Sequence, residues 1–300
     1  TKFLSGADNL KKPFALFVSY INPHDIYHMR PGTNDVSGKK IPLPPSWAKQ
    51  DFESVPVVQY RFMTEDQGKR LWGLEQRYWE EYRDYYREQV RLYDSQLGTV
   101  LQKLREKNLY EESVILASSD HGDMDAAHKL IYKGPFMYEN MVKIPLVIRV
   151  PEKFGGIGPR TESLLTPNVD LVPTLLDYAG ISGYECDGQS LRGALTGRGR
   201  APNREYVIGQ YYSKQEWINP IRMIRTRDWK YNRYRVWGEE LYDLKDDPEE
   251  TMNLASQSDH KKVKDELNDL LQNWMRENED PFESYGISTR GGVRLIPWKG

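Results

Sequence analysis

Apolar residues follow three rhythms along this chain. Phe14–Asn22 (FALFVSYIN), Ser113–Ser119 (SVILASS) and Ile144–Val150 (IPLVIRV) are short and almost continuously apolar or small, the habit of strands buried on both faces of a parallel sheet. Glu75–Asn108 instead sets Tyr78, Tyr82, Tyr85, Tyr86, Tyr93, Leu97, Val100, Leu101 and Leu104 on one stripe, which predicts an amphipathic helix covering the sheet. Such a helix would span roughly 50 Å, a length that favours a break or kink, and Asn108 is placed to cap its end. Asn168–Gly180 and Ser258–Asn278 repeat the helical spacing, the first beginning near Asp170 so that Pro173 falls in its first turn. From about Glu205 the rhythm changes again. YVIGQYY, IRMIRTRDWKYNRYRV and ELYDLKDDPEE read as short alternating strands of an antiparallel sheet, with Arg222, Arg225, Arg227 and Lys230 on its solvent face. The expected architecture is α/β: a largely parallel central sheet flanked by helices over residues 1–204, then a smaller C-terminal antiparallel sheet-plus-helix subdomain with a tail from Tyr285, over residues 205–300.

Two of the strand-like runs end in titratable groups. Asp120-His121-Gly122 follows SVILASS and Pro23-His24-Asp25 follows FALFVSYIN, at the carboxyl ends where open α/β sheets place their ligands. Lys133 stands thirteen residues beyond Asp120, with His128 between them. Each has an ordinary reading as well: Asp120 and Gly122 as a cap and turn, His24 as a turn residue, His128 as a packed core imidazole, Lys133 as a surface lysine. The segment from Pro31 to Val58, rich in Pro, Gly, Ser and Lys and without a period, reads as an excursion loop over the mouth of the sheet, where substrate choice is often set.

Composition narrows the field. A formal charge of -2 and a pI near 6.3 provide no basic field for a polyanion, so nucleic-acid binding has no support. The single cysteine, Cys186, excludes an internal disulfide framework and leaves a periplasmic, secreted or cytoplasmic location open. No apolar run reaches 18 residues, so no transmembrane helix is expected. A glycine-rich phosphate loop, zinc-finger spacing and the G-x-S-x-G elbow are absent. Thr1–Lys12 lacks an initiating Met and the features of a signal peptide, and the chain reads as starting in mid-protein.

Taken together, DHGDMDAAHKLIYKGPFMYEN resembles the segment of sulfatases of the alkaline phosphatase superfamily that reads D-[HN]-G, then G-x-H-x-x-x-x-K, then a tyrosine and an acidic residue. Here these are Asp120, His121 and Gly122, then His128 and Lys133, then Tyr138 and Glu139, with Ala126 where the family usually has Gly. Pro13, Phe14, Phe17, Val18, Pro23 and His24 match the P-F-x-x-F-V-x-x-x-x-P-H strand of the same family, and the V-D-L-x-P-T-L-L-D helix, D-G-x-S-L turn and E-L-Y-D-L-x-x-D-P closing motif follow in order. The resemblance implies an alkaline phosphatase-like fold and a sulfuric ester hydrolase. It implies Asp120 and His121 as ligands of a divalent metal, Ca²⁺ first, with Mg²⁺, Mn²⁺ or Zn²⁺ as alternatives. Lys133 and His24 would face the sulfate or leaving oxygen, and His128 would stand near the leaving group or serve structure alone; Asp170 and Asp187 are expected to be architectural. The substrate would be a sulfated small molecule or sugar. The paired aspartates and the C-x-P-x-R or S-x-P-x-R motif, whose first residue becomes the formylglycine nucleophile, do not occur in this sequence. It therefore reads as the later part of such an enzyme, with a missing N-terminal half. The alternatives are a phosphonate or phosphodiester hydrolase of the same superfamily and a non-catalytic sulfated-sugar-binding relative.

Overall fold

The computed structural model describes residues 2–7, 12–33, 41–214 and 217–286. In chain order they form α1 (Lys2–Ser5), α2 (Pro45–Lys49), α3 (Val58–Glu65), α4 (Gln76–Glu106), β1 (Ile115–Ser118), α5 (Glu139–Val142), β2 (Leu146–Arg149), α6 (Leu171–Tyr178), α7 (Arg192–Thr196), β3 (Val207–Lys214), β4 (Trp217–Arg225), β5 (Trp229–Tyr234), β6 (Glu239–Asp243) and α8 (Lys261–Glu277), with 3-10 turns between them. They sort into two compact units, one of residues 1–41, 80–119 and 145–202 and one of residues 42–79, 120–144 and 203–300. Part of the expected specificity loop, 34–40, and most of the expected tail, 287–300, lie outside the described residues.

In the first unit α4 continues without the expected break, the whole helix running 31 residues. It contains no proline, the usual cause of a sharp kink. Tyr82 and Leu104 of its stripe are buried, while the other stripe residues are half-exposed. Asn108 ends it as expected, left-handed at φ 56°, with the Leu109 N–H returning to the Leu104 carbonyl at 2.8 Å. β1 and β2 pair antiparallel, from Ile115 opposite Arg149 to Ser118 opposite Leu146, not parallel as expected from their apolar character. A parallel return takes a long crossover, usually a helix, and the connection between these strands holds no α-helix longer than the four-residue α5. Phe14–Ile21, expected as a buried strand, enters no ladder among the described residues, and its apolar side chains are open: Phe17 is 82% exposed and Ile21 72%. Asp170, fully buried, accepts the Gln189 N–H at 2.7 Å, and the Thr174 hydroxyl accepts the Leu191 N–H at 2.9 Å. These bonds tie α6 to the D-G-x-S-L turn and give Asp170 the architectural role expected of it.

The second unit is built on an antiparallel meander, β3-β4-β5-β6. One cluster joins Ile224, Tyr231 and Leu241 of the sheet to Leu267, Leu271 and Met275 of α8 and to Phe282. A second cluster joins Ile221, Met223 and Tyr234 to Val58 of α3 and to Met137, with Val142 of α5 against it. Both faces are therefore covered, and this overturns the expected solvent face. Arg222 and Lys230 are 2% and 0% exposed, and only Arg227 of the four basic residues stands fully in solvent. Arg222 meets Asp280 in a bidentate pair, both bonds 2.7 Å. Buried Glu240 is satisfied by four donors, Gln59, Tyr242, Asn232 and Tyr234, at 2.7 to 3.0 Å, as a buried carboxylate without an adjacent cation must be.

Candidate functional site

Asp120 follows β1 by two residues and begins a loop that belongs to the second unit. Its side chain is 82% exposed, and its Oδ1 accepts the His121 N–H at 3.0 Å. His121 is oriented by its own neighbour: Nδ1 lies 2.8 Å from the Gly122 carbonyl. A carbonyl can only accept, so Nδ1 carries the proton. Nε2 then presents a lone pair, 3.4 Å from Asp120 Oδ2 and 2.5 Å from the Lys133 ammonium. Lys133 is returned to this point because the loop closes on itself, the Met124 N–H donating to the Tyr132 carbonyl at 3.0 Å.

Two features force the small residues of this loop. A Cβ at Gly122 would lie 1.9 Å from the Asn140 carbonyl oxygen, so no other residue fits without displacing α5. Asp125, Ala126, His128, Lys129 and Tyr132 all have positive φ, between 45° and 70°, a conformation that costs a residue with a Cβ roughly 1–2 kcal/mol. Ala126, at φ 70°, sits where the family pattern has Gly. The requirement there is conformational, which side-chain size alone does not reveal.

His128 is buried, 2% exposed, and stacks on Tyr138 with ring centroids 3.8 Å apart. Its Nδ1 lies 3.0 Å from Gln50 Oε1. Burial, reinforced by the charge of Lys230, pushes its pKa down to about 3, so the ring is neutral at physiological pH. Tyr138 donates to Gln59 at 3.0 Å, which links this stack to the Glu240 network. Glu139, read from sequence only as part of the motif, accepts from Arg225 and Lys230. Burial draws its pKa upward, but those two cations outweigh burial and hold it below the ordinary carboxylate range.

The structure thus gathers Asp120, His121 and Lys133 at one point, Asp120 exposed and the other two half-buried, while His128 of the same loop is packed against Tyr138. His24 stands on the other unit, exposed at the start of a 3-10 turn, its ring centroid 4.9 Å from that of Tyr27. Asp120 and His121 suit a cation as a partial set: a carboxylate oxygen and an imidazole lone pair 3.4 Å apart. Among the described residues no group of three or more His, Cys, Asp or Glu completes them.

The sulfatase family model matches residues 1–181, and a second model, N-sulphoglucosamine sulphohydrolase C-terminal, matches residues 127–277. The chain belongs to the sulfatase family. It is 30% identical over 296 residues to the Delta 4,5-hexuronate-2-O-sulfatase of Bacteroides thetaiotaomicron, covering 92% of this chain and 60% of that protein. A crystal structure from the same organism, of a protein classed as a sulfatase, superposes with a TM-score of 0.88 at 27% identity, over 97% of this chain and 65% of the other. The fold is therefore the alkaline phosphatase-like α/β fold. The phosphonate monoester hydrolase of Agrobacterium radiobacter shares it, with a TM-score of 0.74 at 22% identity over 97% of this chain and 62% of that one. The chain spans about 60% of the length of the sulfatase it matches.

Proposed function

We propose that these residues form the later part of a sulfuric ester hydrolase that cleaves a sulfate monoester on a sulfated sugar or small molecule, with a formylglycine nucleophile supplied from outside residues 1–300. The observation that carries this reading is the meeting of Asp120, His121 and Lys133, His121 Nε2 lying 2.5 Å from the lysine and 3.4 Å from the carboxylate, in a chain of the sulfatase family. The Delta 4,5-hexuronate-2-O-sulfatase supports the sugar.

Asp120 and His121 would hold a divalent cation, Ca²⁺ first by family; when bound it polarises the sulfuryl group and lowers the pKa of the nucleophile. His121 is prepared for this by its Nδ1–H bond to Gly122, which fixes the ring and leaves Nε2 as the nitrogen that can face a cation. Lys133 is a point charge with three donors, suited to neutralise the oxygens of a sulfate as charge builds in the transition state. His24, an exposed imidazole, is assigned the leaving oxygen by the family resemblance. His128, buried and neutral, holds the loop and does not touch substrate.

The test is activity of the longer protein that carries an upstream C-x-P-x-R or S-x-P-x-R segment. It should hydrolyse p-nitrophenyl sulfate at a higher kcat/KM than p-nitrophenyl phenylphosphonate, and Lys133→Ala should lower kcat roughly a hundredfold, the order seen when one transition-state donor is removed. Preference for the phosphonate would move the enzyme to its phosphonate-cleaving relatives. Binding of sulfated sugar without turnover would make it a binding protein.

A further inference from the structure

One charged cluster, none of whose members is assigned a role above, touches the loop that carries the site. Lys230 on β5 is 0% exposed, with its ammonium 3.1 Å from Glu139 Oε1 and 2.5 Å from Glu250 Oε1. Arg225 on β4 donates to both oxygens of Glu139, at 3.3 and 3.1 Å. The Glu139 N–H donates to Glu250 Oε2 at 2.6 Å. Two cations thus balance two carboxylates. Burying such a set is a poor way to gain stability, because desolvation offsets most of the attraction; what it specifies well is one arrangement of the parts it joins.

Those parts lead directly to the site. Glu139 is the first residue of α5. The Met141 carbonyl of the same helix accepts the Gly122 N–H at 2.8 Å, and the Asn140 carbonyl occupies the space a Cβ at Gly122 would need. The Gly122 carbonyl in turn accepts from His121 Nδ1 at 2.8 Å, and His121 Nε2 meets Lys133 at 2.5 Å. An unbroken series of contacts runs from Lys230 through one helical turn to the imidazole.

We propose that Lys230 is a positioning residue: with Arg225, Glu139 and Glu250 it clamps α5 against Gly122, and so fixes the orientation of His121 and the reach of Lys133. What the positioned groups act on rests on the sulfatase reading above; the clamp itself does not. Lys230→Met removes the cation while keeping most of the length of the side chain, leaving one arginine for the carboxylates of buried Glu250 and half-buried Glu139.

Hydrogen–deuterium exchange of the 1–300 chain is the test, read peptide by peptide. In Lys230→Met the amides of Gly122 and Glu139 should exchange at least tenfold faster, while α8, packed on the sheet through a separate cluster, keeps its wild-type rates. The His121 ring ¹⁵N shifts should change from one Nδ1–H tautomer to a mixture, which a merely structural role would not cause. Lys230→Met combined with Glu250→Gln restores the charge balance and should recover most of the protection. Arg225→Gln, at a half-buried position, gives the same reading should Lys230→Met not fold. Unchanged exchange over residues 120–144, or equal acceleration there and in α8, overturns the clamp. Failure of the sulfatase reading would show differently, as absence of turnover in the longer wild-type protein with these exchange differences intact.

Discussion

His128 shows how a residue can belong to a site's sequence motif and yet serve its packing. Its ring stacks on Tyr138 and is nearly closed to solvent, and burial holds its pKa at about 3 against an ordinary 6.5. Because the folded value is the lower one, the unfolded chain takes up the proton first. The stability this group contributes is complete above about pH 6.5 and is lost as pH falls towards 3, at about 1.4 kcal/mol per pH unit. Glu250 acts in the opposite sense: burial raises it to about 7 although Lys230 pulls it down, so its contribution is present at low pH and is lost as pH rises through 7. The two overlap between about pH 4.5 and 6.5, and a variant is needed to separate them. Urea midpoints of wild type and His128→Gln should therefore differ by an amount that shrinks with that slope from pH 6.5 to 4.5. A difference independent of pH would mean that His128 is not held neutral.

The β4 strand carries six consecutive buried residues, Asn219 to Ile224, one of them an arginine. Its partner Asp280 also accepts the Phe282 N–H at 2.9 Å and caps the turn Pro281–Ser284. Removing one member leaves a buried charge unpaired, so Asp280→Ala should cost about 3–5 kcal/mol. Arg222→Met together with Asp280→Leu should cost only about the 1 kcal/mol of the lost cap, as read from denaturant midpoints. These same residues show what the sequence could and could not reveal. Alternation tells which side chains of a strand share a face, but not what covers that face, so Arg222 and Lys230 looked solvent-exposed when α8 on one side and α3 and α5 on the other bury the sheet. Likewise apolar content marked β1 and β2 as strands but carried no information on their direction. The site loop was far more legible. Asp120, His121 and Lys133 are brought together by contacts within thirteen residues, and spacing over so short a stretch is nearly geometry. The clamp on Glu139 was invisible because Lys230 and Glu250 are 91 and 111 residues away.

The chain has a sulfatase's fold and spans about 60% of a relative's length, while no C-x-P-x-R or S-x-P-x-R motif occurs in its sequence. The two proposed metal ligands are few for a hard divalent ion, which takes six or more oxygen-rich positions, and neither His24 nor Lys133 can replace a covalent nucleophile. The decisive measurement is hydrolysis of p-nitrophenyl sulfate by residues 1–300 alone, beside a version extended upstream by a C-x-P-x-R or S-x-P-x-R segment whose Cys or Ser is oxidised to formylglycine. The isolated chain should be no faster than buffer with or without added Ca²⁺, and the extended version should turn over. Hydrolysis by the isolated chain that is abolished by His24→Ala would contradict the account, since the nucleophile would then lie within these 300 residues.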